Sequence, residues 1–270
     1  MDEKISVIMG IFNCADTLEV AIDSILAQTY PNWQLILCDD CSTDDTYNIA
    51  KKYADTYPDK IIVIKNDQNS RLAFSLNHCL KFADGEFIAR MDGDDISMPE
   101  RFETQLKYLH EHSEFDLVGC AMQRFSDKGG LADILYSVDN PNYYTLKNKV
   151  PFHHGTIMAR RKVYDTLGGY CVCKRTARCE DYDLWFRFFH AGFKGNNLRE
   201  PLYMVREDAN AIRRRTFKSR FMALKTTWYG FNLLGYPKRW FIKPVIKTLF
   251  KALTPYKIAE LYRAWQKHNK

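Results

Sequence analysis

The chain has 270 residues, 46% hydrophobic and 27% charged, which is ordinary globular composition and enough length for one large domain with an appendage. No run reaches the roughly 18 apolar residues of a membrane span, and no secretory leader opens the sequence, so the expected compartment is the cytoplasm. The net charge of +6 is unevenly spread: residues 211–270 hold 15 Lys and Arg against one acid, Glu260, a net of +14 that leaves −8 for residues 1–210. An acidic first part is thus followed by a basic, aromatic-rich tail.

Strand and helix signals alternate from the start, as in a chain winding across a mostly parallel sheet. Lys4–Ile11 reads as a buried strand, and Asp16 caps a helix with Glu19 three residues on and Leu18, Ile22, Ile25 and Leu26 at helical spacing. Trp33–Cys38 is the second strand, Thr43 caps a helix to about Tyr57, and Lys60–Lys65 is the third strand. Leu72–Ala83 reads as a helix closed by Asp84-Gly85, Glu86–Met91 as the fourth strand, and Pro99 opens a helix to about His112. Asp116–Ser126, the turn Asp127-Lys128-Gly129-Gly130 and Leu131–Val138 then read as a hairpin, which makes the sheet mixed. Gly155–Arg160 is a short strand, Lys162–Leu167 a short helix, and Glu180–Ala191 a helix with Leu184, Trp185, Phe188 and Phe189 on its apolar face.

Eight cysteines (14, 38, 41, 79, 120, 171, 173 and 179) fall mostly inside apolar patterns, which favours reduced thiols. A zinc site from Cys38 and Cys41, or from Cys171, Cys173 and Cys179, is disfavoured: carboxylates separate the first pair and the second group lacks a matching Cys-x-x-Cys.

In open α/β sheets, ligands bind beyond the C-terminal ends of the strands. Two acidic groups fall there, Asp39-Asp40 after the second strand and Asp92-Gly93-Asp94-Asp95 after the fourth. Three carboxylates within four residues repel unless a cation joins them, and oxygen ligands suit Mg2+ or Mn2+. Such an ion keeps few protein carboxylates and completes its shell with substrate phosphates, so a short Asp-x-Asp matches diphosphate binding, with Gly93 leaving room for close approach. The plain alternative is a solvated acidic turn capping the helix that follows.

Ser6-Val7-Ile8-Met9 with Phe12-Asn13, Ser24 to Tyr30, Asp39 to Asp44, Ala89 to Asp95 and Glu180 to Trp185 resemble, in order, the sequence blocks of family 2 glycosyltransferases, and together they cover about residues 4–206. The stretches Gly10 to Cys14, Leu35 to Asp40 and Val205 to Asp208 are similar in more detail to EpsE-type exopolysaccharide enzymes. The resemblance implies an inverting enzyme of the GT-A fold, a Rossmann-like, mostly parallel mixed α/β sheet flanked by helices. It implies that Asp40 holds the base edge of a nucleotide and Phe12 walls its pocket, that Asp92 meets ribose or the metal shell, and that Asp94 ligates Mn2+ or Mg2+. Asp181 would be the general base, favoured over Glu180. A carboxylate at a helix N-terminus is well oriented for that role, although the helix dipole lowers its pKa. Where many relatives place glycine after the third strand, this chain has Asn69-Ser70-Arg71-Leu72, and Arg71 is a candidate donor contact.

His153-His154 are candidates for the acceptor site, and the basic loop Lys174–Arg178 for a flap over the diphosphate. No stacking platform accompanies Arg213-Arg214-Arg215, so nucleic acid is not expected as a partner. Trp240–Ala252 instead spaces Lys243, Lys247 and Lys251 beside a broad apolar face, and a second segment opened by Thr254-Pro255 carries Ile258, Leu261, Tyr262 and Trp265. An anionic membrane surface is the expected partner of residues 211–270, against the alternative that these helices pack back on the domain.

The sequence is therefore read as a GT-A domain over residues 1–210 with a basic amphipathic helical tail over 211–270. It would be a metal-dependent glycosyltransferase, peripheral at the inner face of the cell membrane, moving a sugar from a UDP-linked donor to a lipid-linked or polymeric glycan. The alternative is a protein of this fold that acts mainly by binding a protein partner. A phosphatase would need a lysine and further aspartates around a nucleophilic Asp, and no such set follows.

Overall fold

The computed structural model describes residues 2–126, 130–207 and 217–253. In chain order its first half runs β1 (Ile5–Ile11), α1 (Ala15–Leu26), β2 (Trp33–Asp39), α2 (Thr46–Thr56), β3 (Ile61–Lys65), α3 (Leu72–Leu80), β4 (Phe87–Arg90), β5 (Ile96–Ser97) and α4 (Arg101–Glu111). The second half runs β6 (Leu117–Ser126), β7 (Gly130–Leu135), β8 (Met158–Arg160), α5 (Arg161–Leu167), α6 (Glu180–His190), β9 (Gly195–Arg206), α7 (Phe217–Leu233) and α8 (Ile242–Leu253).

One mixed sheet joins the strands in the order β3-β2-β1-β4-β8-β6-β9-β5, with β7 hydrogen-bonded to β6. β1, β2, β3 and β4 are mutually parallel, β8 is antiparallel to both β4 and β6, and β6 and β9 are parallel. Alternate residues of each central strand feed two cores. Val7, Met9, Leu35, Leu37 and Ala89 pack with residues of α1, α2 and α4, whereas Ile8, Ile36, Cys38 and Ile88 pack with residues of α3, α5, α6 and α7. The sheet is thus the middle of three layers, as period-two strands buried on both faces require.

Several boundaries differ from the sequence expectation, each for a local reason. Asp16 lies inside the first turn of α1, which Cys14 caps. Thr43 does not start α2, because its backbone N–H donates to Asn13 Oδ1 at 2.8 Å, and the helix begins three residues later behind Asp45. α3 ends at Leu80, and residues 154–156 coil into a 3-10 turn that shortens β8 to three residues. The long strand β9 was not foreseen, whereas α7 falls within the tail that was expected to be helical. The β9 register shifts between Cys120 and Met122 of its partner, where Arg199 and Glu200 bulge out to solvent ahead of Pro201. That bulge breaks the period-two pattern by which a strand is recognised.

The turn Asp127-Lys128-Gly129, Arg213-Arg214-Arg215 and the segment from Thr254 onward lie outside the described residues. No helix among the described residues is long and apolar enough to cross a membrane. α7 packs on α6: Phe231 is buried in the second core, and a Cβ built on Gly230 would lie 2.2 Å from the Phe186 ring. Gly230→Val is therefore expected to destabilise the whole domain by roughly 1–3 kcal/mol, read as a lower urea midpoint at unchanged slope. A stability equal to that of the parent protein would mean that α7 is not part of the folded core.

Candidate active site

The C-terminal ends of β1 and β2 form one wall of a crevice. Ile11 and Asp39 are register partners there, and Phe12 follows with 47% of its surface exposed, an uncovered aromatic face of the kind on which a base stacks. Asn13 and Cys41 take left-handed backbone conformations (φ 47° and 64°), and the loops they start are tied together by Asn13 N–H to Ser42 Oγ at 3.0 Å and Cys14 N–H to Thr46 Oγ1 at 2.8 Å. Asp40 is buried and organises the loop after β3. Its Oδ1 accepts from Asn66 Nδ2 and Ser70 N–H, both at 2.8 Å, and its Oδ2 accepts from Arg71 N–H at 2.7 Å. Of about four acceptor positions on a carboxylate, one on Oδ2 remains.

Arg71, in the loop after β3, sits at φ 72° and ψ 166°. That region is essentially restricted to glycine and costs a side-chain-bearing residue roughly 1–3 kcal/mol. Its side chain is exposed, at the position where Asp40 holds the backbone.

The acidic run follows β4 and is held from two directions. Arg90, the last residue of β4, is buried, and both of its terminal nitrogens pair with the two Asp92 oxygens. Burial opposes the Arg90 charge, but the Asp92 carboxylate overrides it and lifts the guanidinium pKa above the usual arginine value. From β9, Tyr203 Oη donates to Asp95 Oδ2 at 2.8 Å, Arg206 N–H to Asp95 Oδ1 at 2.9 Å, and Arg206 Nε to the Asp94 carbonyl at 2.9 Å. Gly93 was expected to make room for ligand. Its missing Cβ faces protein instead, 3.0 Å from Ile11 Cγ2 and 3.1 Å from Cys14 Sγ, so glycine is needed there for packing.

Carboxylate oxygens of Asp92, Asp94 and Asp95 all lie within 4.8 Å of one another. Burial first, then the charges of Asp92 and Asp94, pushes the Asp95 carboxyl up to about 8. The cluster therefore retains a proton at neutral pH, and a divalent cation would relieve the same repulsion. Hard oxygen donors at this spacing fit Mn2+ or Mg2+.

Glu180 and Asp181 open α6, with the Tyr182 N–H donating to Asp181 Oδ1 at 2.7 Å. The helix N-terminus was expected to keep the Asp181 pKa low, but burial outweighs it and the pKa is raised. Glu180 rises further, to about 7, through burial and then the Asp181 charge, with Asp92 adding a smaller push. Arg90 acts on both in the opposite sense, so one buried guanidinium is felt by the acidic run and by the α6 carboxylates. The structure thus brings Asp92, Asp94 and Asp181 to a common locus, with Phe12, Asp40 and Arg71 at the ends of the neighbouring strands.

Two contributors escaped the sequence reading. Arg90 could have been noticed as a charge inside an otherwise apolar strand, whereas Tyr203 lies on the irregular β9 and carried no signal. A Cβ on Gly155 would come 2.8 Å from Tyr203 Oη and 3.2 Å from Arg90 Nη1, so that glycine admits both side chains. His154 is half-buried, its pKa lowered by desolvation and then by Arg90, with its Nε2 2.8 Å from Tyr170 Oη. His153 is likewise pushed toward neutrality by burial.

A sheet of parallel β1–β4 units with an acidic run at the β4 end is the arrangement of the GT-A glycosyltransferases. Across 99% of its length the chain superposes on 80% of a mannosyltransferase from Pyrobaculum calidifontis solved with GDP-Man and Mn2+, at TM-score 0.64 and 18% identity, a likeness of fold. Residues 6–177 match the Glycosyl transferase family 2 model, a match that stops just before Glu180. EpsE of Bacillus subtilis (strain 168), assigned as a glycosyltransferase, is 54% identical over 215 residues, covering 79% of this chain and 77% of that protein. WfaP of Escherichia coli, named as a UDP-Glc:alpha-D-GlcNAc-diphosphoundecaprenol beta-1,3-glucosyltransferase, is 28% identical over 80% of this chain and 82% of its own. The chain belongs to glycosyl transferase family 2.

Two measurements probe the site. Because a proton on Asp95 competes with a cation, Mn2+ affinity measured by calorimetry is expected to rise with pH up to about 8, by as much as roughly tenfold per pH unit. Arg71→Gly relieves the backbone strain, about 1–3 kcal/mol, against about 0.5–1 kcal/mol of added chain entropy. Its Tm should hold or rise. A donor contact through the arginine side chain would then show as a higher donor KM, and an unchanged KM would retire that contact.

Proposed function

We propose that the protein transfers a sugar from a UDP-linked donor, with inversion at the anomeric carbon, to a lipid-linked or polymeric glycan. The observation that supports this most is that two carboxylate sets, the Asp92-Asp94-Asp95 cluster and Glu180-Asp181, both feel the charge of the buried Arg90, which pairs with Asp92 and opposes the raised pKa of the α6 carboxylates. Inversion requires a base opposite a stabilised leaving diphosphate, and these two sets have those two chemistries. WfaP, whose name specifies a UDP-sugar and a diphosphoundecaprenol acceptor, supports the donor and acceptor classes.

Each residue has a defined part in this reading. Phe12 walls the base, and the remaining acceptor position of Asp40 takes an N–H from the base edge. Arg71 reaches the donor, and Asp92, turned by Arg90, meets the ribose or the metal shell. Asp94 is the direct ligand of Mn2+ or Mg2+, and a bound ion would offset the charge gathering on the leaving diphosphate. Asp181 accepts the acceptor hydroxyl proton, and its raised pKa improves its match to that task at neutral pH.

Residues 1–210 carry this chemistry, and the tail, 211–270, brings it to the inner face of the cell membrane, with α7 anchored on α6 and α8 meeting the bilayer. Two features of α8 support this. Ile242, Ile246, Leu249 and Phe250 are exposed, the last at 73%, and Lys243 and Lys247 are exposed one turn apart. An apolar groove between α7 and α8, lined by Phe221, Leu224, Trp228, Phe241, Val245 and Leu249, continues that face. Apolar surface beside cations is complementary to an anionic leaflet.

With Mn2+ and a panel of nucleotide sugars, the purified protein is expected to release UDP from at least one donor. Asp94→Ala and Asp181→Asn should each lower kcat by roughly 10²–10⁴-fold with the fold intact. kcat/KM should fall as pH drops through the raised pKa of the base, since a protonated carboxyl cannot accept the hydroxyl proton. No turnover of any donor by well-folded protein would sink the enzymatic reading and favour partner binding. For the tail, Ile246→Ser with Phe250→Ser should abolish co-sedimentation with anionic vesicles and leave donor turnover unchanged.

A further inference from the structure

Cys171 and Cys173 lie in the loop that leads into α6, with their sulfurs 3.6 Å apart. Cys173 is exposed and Cys171 half-buried. The loop is tightly tied: Thr176 Oγ1 donates to the Cys171 carbonyl at 2.6 Å, and the Thr176 N–H to the Cys173 carbonyl at 3.2 Å. Arg175 contacts the Cys171 sulfur through Nη2 at 3.6 Å, pairs with the buried Asp183 of α6 through Nη1 at 2.5 Å, and stacks 3.9 Å over the Tyr229 ring of α7. A displacement of the Cys171 sulfur, which the Cys173 sulfur also contacts, therefore reaches α6 through Arg175.

We infer that Cys171 and Cys173 are a reversible thiol modification site, closed to a disulfide by peroxide, that controls the positioning of the Glu180-Asp181 end of α6. The two thiols are unequal. Burial raises the Cys171 thiol, with its hydrogen bond to Cys173 adding to the effect. Slight burial also opposes ionisation of Cys173, but the Thr176 hydroxyl and backbone N–H override it and lower that thiol. An exposed thiol of lowered pKa, 3.6 Å from a half-buried thiol of raised pKa, is the arrangement of an attacking and a resolving cysteine.

The steps balance. The Cys173 thiolate attacks one peroxide oxygen, an S–O bond forms, the O–O bond breaks, and hydroxide leaves and is protonated to water. Cys171 then attacks the Cys173 sulfur, the S–S bond forms, the S–O bond breaks, and the second water leaves with the Cys171 proton. Two thiols are oxidised and one peroxide is reduced, and an external dithiol reverses the change. Closing from 3.6 Å to the roughly 2.0 Å of a disulfide requires the sulfurs to approach by about 1.6 Å, which disrupts the Arg175 contact with Cys171 and the Thr176 contact with Cys173.

The test treats the full-length protein with hydrogen peroxide, alkylates remaining thiols and maps the tryptic peptide Val163–Lys174, which holds both cysteines. The expected result is loss of two hydrogens without alkylation, reversed by dithiothreitol and absent in Cys173→Ser. Full alkylation of both cysteines after peroxide, or faster oxidation of Cys14 or Cys41, overturns the site. The control of α6 rests on the transferase reading, and its test is donor turnover: kcat should drop several-fold on oxidation with little change in donor KM, and recover on reduction. The double variant Cys171→Ser, Cys173→Ser should be insensitive to peroxide. Disulfide formation without loss of kcat overturns the control, whereas absence of turnover in the reduced protein overturns the transferase reading, and the peptide map distinguishes the two.

Discussion

The pairing of the buried Arg90 with the half-buried Asp92 is the constraint on which the rest of the site depends. A guanidinium at the end of a central strand is costly to desolvate, and breaking such a pair by removing one partner leaves the other charge uncompensated. The fold surrounds it with compensation: Asp92 takes both terminal nitrogens, Gly155 leaves it space, and Tyr203 ties the following acidic run to β9. Arg101, itself fully buried, anchors the next segment by donating from Nη2 to the Arg90 carbonyl at 2.9 Å and stacking 5.1 Å over the Tyr203 ring. The acidic run is thus set by fixed charges and hydrogen bonds rather than left as a solvated turn.

That arrangement separates the carboxylates by environment. Asp92 is matched to a cation, Asp95 is buried and hydrogen-bonded to β9, and Glu180 and Asp181 lie at a helix N-terminus where burial wins over the helix dipole. Groups of one chemical type are pushed toward different protonation by their surroundings, which is how one crevice comes to hold both acid-free ligands and proton acceptors. Three of the positive-φ side-chain-bearing residues, Asn13, Cys41 and Arg71, border Asp39-Asp40. Strain of this kind persists only where the surroundings over-determine it, and at Arg71 the determining group is the Asp40 carboxylate.

Legibility followed the physics of each signal. Apolar runs ended by acids, such as Leu35 to Asp40 and Phe87 to Asp92, announced both the strands and the crevice they border. Arg90 was quoted as part of a strand and given no task, because a charge flanked by apolar residues says nothing of what neutralises it. β9 was invisible because its bulge at Arg199 and Glu200 destroys alternation, and with it went Tyr203 and Arg206. Helix caps were misplaced where a candidate capping side chain had a tertiary partner instead, as the Thr43 hydroxyl, which accepts from Asn13 Nδ2, has.

The sequence by itself determined the alternating α/β order, the position of the carboxylates at strand ends and the family, since these depend on local periodicity and on blocks of contiguous residues. Only the tertiary structure decided that α7 of the basic tail is seated on α6, and that Arg71 stands in a backbone conformation suited to glycine. It alone decided that the Arg90 charge acts on both the acidic run and the α6 carboxylates. The reason is common to all three: each is a relation between segments distant in the chain, and such relations are set by which surfaces and charges must be buried together.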